Sequence, residues 1–170
     1  DWRSYYQDLA DFNLPRKAWI TTLNSKGERL AYNYIYDSTA LRSARTASAG
    51  FHSNLTNPAS KWFGYEARNK KKKSQAIDKF FFDSTEVVLG YLNNSNFDTS
   101  MQECYMDGLI FGTLNMLSQS DIKKKVKYTT IPIEQYSFEE DAYGKIIAIY
   151  RTFRLNPMQA WMMWGMKAGK

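Results

Sequence analysis

Residues 36–55 read YDSTALRSARTASAGFHSNL and are followed at once by Thr56-Asn57-Pro58. Two readings compete for this stretch, because its hydroxyl groups and the chain's single histidine resemble reagents while its spacing resembles a helix. Leu41, Ala44, Ser48, Phe51 and Leu55 recur at steps of three and four, the period of one helical face, and predict a helix of about four turns. Asp37, Ser38 and Thr39 are N-cap candidates, and Pro58 predicts the stop, since the residue before proline avoids the α region. On such a helix Asp37 and His52 lie roughly 22 Å apart, from ~1.5 Å of rise per residue, so no acid–histidine–serine triad forms locally. Ser48 sits one turn from His52 without an orienting acid or an oxyanion donor. The stretch therefore reads as a packing face whose small Ala and Ser positions let a neighbouring backbone come close. Trp62 and Phe63, just beyond it, add two large rings to the core.

Working outward, Trp2, Tyr5, Tyr6, Leu9 and Phe12 predict an opening helix that Asn13-Leu14-Pro15 ends. Residues 16–36 read as loop or weak strand with a turn at Asn24 to Gly27, and Lys70 to Lys73 as an exposed loop. A second long helix is expected from about Ser74 to Asn93, carrying Ile77, Phe80, Phe81, Val88, Tyr91 and Leu92. A third follows a cap at Asp98 or Thr99 and ends near Gly112. Past Gly112 the residues become β-branched and aromatic, and three strands are expected: around Leu114 to Met116, from Lys123 to Ile133, and over Lys145 to Arg154. Glu140 to Gly144 is expected to turn the chain between the last two, and the strand KIIAIYRTFR carries apolar residues on both alternating sets, which predicts cover on both faces. Asn156-Pro157 then opens a helix holding Trp161, Met162, Met163, Trp164 and Met166. The expected fold is α+β, with a helix-rich N-terminal half packed with a small antiparallel sheet of about three strands. It is read as one domain over 1–170, helical to about 112, β-rich over about 113–155, with a terminal helix over about 157–166.

The chain of 170 residues is 44% hydrophobic and 16% aromatic, enough to offset the entropy of folding. Its +6 charge, 23 Lys+Arg against 17 Asp+Glu, fits an acidic partner without requiring one. A lone Cys104 and a lone His52 cannot assemble the usual zinc sites, and a single cysteine in a chain reads as a reducing compartment. No run reaches the ~18 apolar residues of a membrane span, so a soluble chain with no membrane partner is expected. Asp1 in place of an initiator methionine predicts a piece of something longer.

Signatures for phosphate loops, dinucleotide binding, zinc proteases and nucleophile elbows are missing, so no cofactor, metal or catalytic residue is expected. Glu139-Glu140-Asp141 could grip a divalent cation but reads first as turn chemistry. Glu103 and Asp107 share a helix face at i and i+4 and read as a solvated pair. Lys70, Lys71, Lys72 and Lys73, with Lys123, Lys124, Lys125 and Lys127, are candidate phosphate contacts, or else two solvated loops. A freestanding basic nucleic-acid-binding domain, or a domesticated prophage remnant, is the alternative function these lysines suggest.

Seven motifs stand in order along the chain: Leu14-Pro15 after an aromatic helix, YDSTA at 36–40, NPASKWF at 57–63, NSNF at 94–97, DGLIFGT at 107–113, IPIEQYSFEEDAYGKI at 131–146 and IYRTFRLNPMQ at 149–159. In that order the chain resembles the N-terminal wing part of the portal, or head-to-tail connecting, proteins of short-tailed bacteriophages. The resemblance implies a non-enzymatic subunit of a homo-oligomeric ring, usually of twelve, at one capsid vertex of the virion. It implies capsid and scaffolding proteins as partners, double-stranded DNA passing the channel during packaging and ejection, and assembly in the host cytoplasm. Terminase and tail-adaptor binding belong to the family's stem, clip and crown, which the resemblance places beyond these residues. From their spacing and size, Leu41, Ala44, Ser48, Phe51, Leu55, Trp62 and Phe63 are read as serving helix packing and assembly.

Overall fold

A computed structural model describes residues 2–17, 20–21, 35–68, 74–121 and 125–165. The chain divides into two units, Asp1–Glu134 and Gln135–Lys170. In the first, α1 (Trp2–Asn13) is closed by Leu14 and a 3-10 turn, Pro15–Lys17. Then follow α2 (Thr39–Leu55), α3 (Gln75–Asn93), α4 (Phe97–Phe111) and the strands β1 (Met116–Asp121) and β2 (Lys125–Thr130). A 3-10 turn, Ile133–Gln135, leads into the second unit, where β3 (Tyr136–Glu140) and β4 (Ile146–Arg151) precede α5 (Pro157–Trp164). The architecture is α+β, as the sequence leads one to expect, with four strands in two antiparallel ladders among the described residues.

The core of the first unit forms where α1, α2 and α4 meet. Ala10, Leu14 and Phe111 are buried at its centre, and Tyr6, Leu9, Leu41, Met106, Ile110 and Ile133 pack around them. Ala10 has no side chain beyond Cβ, so α1 can approach closely there. The helix ends follow local chemistry. Ser74 accepts a hydrogen bond from Ile77 N–H at the start of α3, and Gly112 closes α4 at φ +73°, a conformation most side chains resist. The start of α4 differs from expectation: Asn96 occupies the N-cap position instead of Asp98 or Thr99, and Ser95 Oγ accepts from Phe97 N–H at 3.1 Å.

The strands correct three further expectations. The segment expected as one strand from Lys123 to Ile133 stops at Thr130, because Pro132 cannot donate to a ladder and Ile133 enters a 3-10 turn. It turns back on β1 in the register Met116↔Thr130 through Asp121↔Lys125. The strand paired with the last one is β3 instead, in register Tyr136↔Arg151 with a bulge at Glu139/Glu140. Asp141 to Gly144 forms the turn, with Gly144 at φ +74°. Finally, β4 is not covered on both faces: Ile146, Ile147, Ile149 and Tyr150 are all more than half exposed. Alternating apolar residues on both sides predicted two covers that a two-stranded ladder has no layers to provide. A capping box opens α5, Asn156 Oδ1 accepting from Gln159 N–H while Asn156 N–H donates to Gln159 Oε1. The expected turn at Asn24 to Gly27 and the end of the terminal helix at Met166 lie outside the described residues.

Candidate functional site

The residues that looked like reagents go to separate partners. Asp37 Oδ1 accepts from Thr39 N–H at 3.0 Å, ordinary turn chemistry at the start of α2. Ser48 is buried and donates to the Gln102 carbonyl at 3.1 Å, which fastens α2 to α4. His52 Nε2 lies 2.8 Å from Asp98 Oδ1, yet that buried nitrogen makes no aligned hydrogen bond; the distance is that of an ion pair without its direction. Its ring meets Tyr105 edge to face at 6.3 Å. Of the other expected packing residues on α2, Leu41 touches the core and Ala44 is half-buried. Phe51 stacks on Tyr105 while staying 46% exposed, and Leu55 is 52% exposed.

Two of the seven motifs meet in an aromatic junction. Trp62 stacks on Phe97 with rings 6.0 Å apart and 5° from parallel, Phe63 meets Trp62 at 4.7 Å, and Phe97 meets Tyr128 edge to face at 5.1 Å. Such pairs add to the area they bury, and here they join a loop, the start of α4 and β2. Asn96 holds the same junction by hydrogen bonds. Its Oδ1 accepts from Tyr128 N–H at 2.9 Å and its Nδ2 donates to the Tyr128 carbonyl at 2.6 Å, which gives that backbone the two bonds a further strand would supply. One turn on, Thr130 Oγ1 donates to the Ser100 carbonyl at 2.8 Å. That uses the threonine's only proton, so the Cys104 thiol donates across the 3.5 Å contact to Thr130. Burial pushes the Cys104 thiol up from its ordinary pKa, which leaves it an inert packing group.

Asp107 overturns the reading of a solvated Glu103/Asp107 pair. It is buried, and Lys17 Nζ donates to both of its carboxylate oxygens, at 2.5 and 2.7 Å. Burial raises the Asp107 pKa above its ordinary value, with the Lys17 hydrogen bond and charge pulling it back down. The pair ties the turn after α1 to α4 across ninety positions of sequence. Next to it, a Cβ on Gly108 would meet Leu114 Cδ2 at 3.1 Å, tighter than ordinary contact. In the hairpin, Asp141 Oδ1 accepts from Tyr143 and Lys145 N–H at 2.8 and 2.9 Å, and Glu139 accepts from Tyr150 O–H at 3.0 Å. No group of three or more His, Cys, Asp or Glu side chains is placed to hold a metal ion among the described residues.

Lys70, Lys71, Lys72, Lys73, Lys123 and Lys124 lie outside the described residues, and Lys125 opens β2 opposite Asp121. Among the described residues no helix is long and apolar enough to cross a membrane. Thr85 is buried on α3 and accepts from Tyr65 N–H at 3.1 Å, fixing residues 61–66 beside that helix. Between them runs an open groove of about 310 Å³, walled by Phe63, Tyr65, Phe81 and Phe82 and rimmed by Lys61, Glu66, Asp78 and Glu86. Sequence reading missed Lys17, Asn96 and this groove. Neither Asn96 nor Lys17 has a local signal: Asn96 stands at the N-cap position of α4 without a side-chain cap hydrogen bond, and the two residues reach Tyr128 and Asp107 far along the chain.

Polar side chains in several of the seven motifs, Asp37, Asn96, Asp107, Asp141 and Asn156, are thus engaged in helix caps, turns and ties between elements. Over residues 1–169 the chain matches the family described as bacteriophage head to tail connecting protein. It is 25% identical over 160 residues to a protein named probable portal protein from Bordetella phage BPP-1, covering 93% of this chain and 29% of that protein. To the portal protein of Salmonella phage epsilon15 it is 24% identical over 157 residues, covering 92% of this chain and 28% of that one. The chain therefore spans less than a third of the length of these curated relatives. With the match running over nearly all of its residues, the chain belongs to the bacteriophage head to tail connecting protein family.

Proposed function

We propose that the chain is a structural, non-enzymatic part of a portal ring at the capsid vertex, where head joins tail, and that it lies in the wing of the subunit. The family match over residues 1–169 carries this reading. It is supported by the uses to which Asp37, Ser48, Asn96, Asp107, Asp141 and Asn156 are put. Each of these polar groups is engaged in a cap, a turn or a tie between elements, which leaves none of them poised as a reagent. In this reading twelve copies close around a channel through which double-stranded DNA is packaged and later ejected. The capsid and scaffolding proteins meet the ring from outside, and terminase and tail adaptor meet other parts of the subunit. The ring assembles in the host cytoplasm and ends in the virion.

Leu41, Ala44 and Ser48 then serve the internal α2–α4 contact, while the exposed Phe51 and Leu55 are available to a neighbour. Lys70 to Lys73 and Lys123 to Lys125 are the candidate contacts to DNA phosphates. Native mass measurement of the natural product tests the reading. A closed oligomer of about twelve subunits is expected, and a monomer at micromolar concentration would sink it.

A further inference from the structure

The groove between residues 61–66 and α3 is chemically lopsided. Four aromatic rings wall it, and among the described residues its rim carries three carboxylates, Glu66, Asp78 and Glu86, against one amine. That amine is already committed: Lys61 pairs with Glu86 and lies over the Phe82 ring at 4.4 Å. Glu66 and Asp78 are exposed and form no ion pair with a described residue. Aromatic faces flanked by such carboxylates suit a guanidinium, which stacks on the ring while its N–H fork meets the acids.

The complementary group is on the same chain but on a different element of it. Arg42 and Arg45 are exposed on α2, three residues apart and so on one side of the helix, and neither forms an ion pair with a described residue. Helix α2 packs against α4, α3 packs against α4 and β2, and neither arginine lines the groove, so the groove is not filled by them within one chain. One subunit that offers cations on one element and a cation-seeking groove on another has the two unlike surfaces of a head-to-tail contact, which closes into a ring when the rotation allows.

We infer that the groove formed by Glu66, Asp78 and the rings of Phe63, Tyr65, Phe81 and Phe82 receives Arg42 or Arg45 from α2 of an adjacent copy of this chain. The inference rests on the ring reading and names the surface by which neighbours join. Charge complementarity selects the occupant: a second copy brings two neighbouring arginines, exposed on one helix side and uncommitted to any described acid.

The test is a charge exchange in the natural product, read by native mass and by far-UV circular dichroism melting. Arg42→Glu with Arg45→Glu, and separately Glu66→Lys with Asp78→Lys, are expected to raise the concentration for half-assembly at least about tenfold with melting unchanged. Mixing the two variants, each defective alone, is expected to restore mixed oligomers in which the exchanged charges meet. Retention of the wild-type ring by either pair of reversals overturns the inference, as does a mixture that fails to recover. A groove reversal that breaks the ring while the arginine reversal leaves it intact assigns the groove another occupant and equally overturns it. A wild-type product that forms no ring refutes the proposed function itself, so the two failures are distinguishable.

Discussion

Replacing Lys17 with methionine leaves the Asp107 carboxylate buried without its cation and weakens the first unit. The Asp107 side chain is 5% exposed and that of Lys17 29%, with both carboxylate oxygens engaged. Breaking a buried pair costs about 3–5 kcal/mol, and the partial solvation of the lysine head places this one near 3. At about 2–4 °C per kcal/mol for a chain of this size, the melting temperature is expected to fall by roughly 6–12 °C. Asp107→Asn is expected to cost less, about 1 kcal/mol, because the freed lysine can turn its head into water. The sign of the pH dependence follows from the raised pKa of Asp107. A carboxyl held above its unfolded value contributes stability that is fully present below that value and is lost as pH rises through the folded pKa. Without Lys17 the rise is larger, so Lys17→Met falls furthest behind wild type at neutral pH and converges on it in acid. Urea or thermal unfolding followed by circular dichroism across the acid range measures this. A gap that stays constant with pH would mean that the carboxylate charge is not its cause.

Asn96→Ala removes both hydrogen bonds to the Tyr128 backbone and is expected to cost about 2 kcal/mol, measured by urea unfolding; a loss under about 0.5 would show that water takes over. Ser48→Leu adds bulk at a fully buried contact with the Gln102 carbonyl, and is expected to lower stability by about 1–3 kcal/mol and to reduce soluble assembly. Unchanged melting and ring yield would count against the packing role of that face. Changing Lys70 to Lys73 to alanine is expected to weaken double-stranded DNA binding and flatten its salt dependence by about 0.9 in log–log slope for each phosphate no longer neutralised. An identical slope removes those lysines from consideration.

What the sequence made legible was local. The three- and four-residue spacing of Leu41, Ala44 and Ser48, the stop at Pro58 and the closure at Gly112 each act within a few residues, and the helices lie close to where these signals put them. Glu140 to Gly144 announced a turn because Asp141 and Gly144 suit one wherever they stand. What it hid was pairing. YSFEE at 136–140 is a short segment whose strand identity depends on finding β4, and Lys17 and Asp107 are ninety positions apart with nothing local to couple them. The exposure of Ile146, Ile147, Ile149 and Tyr150 was equally hidden, since alternation says which residues seek cover and not whether cover exists. The family resemblance read from ordered motifs was legible because Asn96, Phe97, Asp107, Gly112 and Asn156 occupy positions where geometry restricts the choice of residue.

Electron cryo-microscopy of the natural product tests the central claim most directly. A closed ring around a central channel is expected, with the α1, α2 and α4 core of this chain fitting density in the outer wing of each subunit. Particles without a channel, or a ring whose density for this core lies on the channel wall, would contradict it.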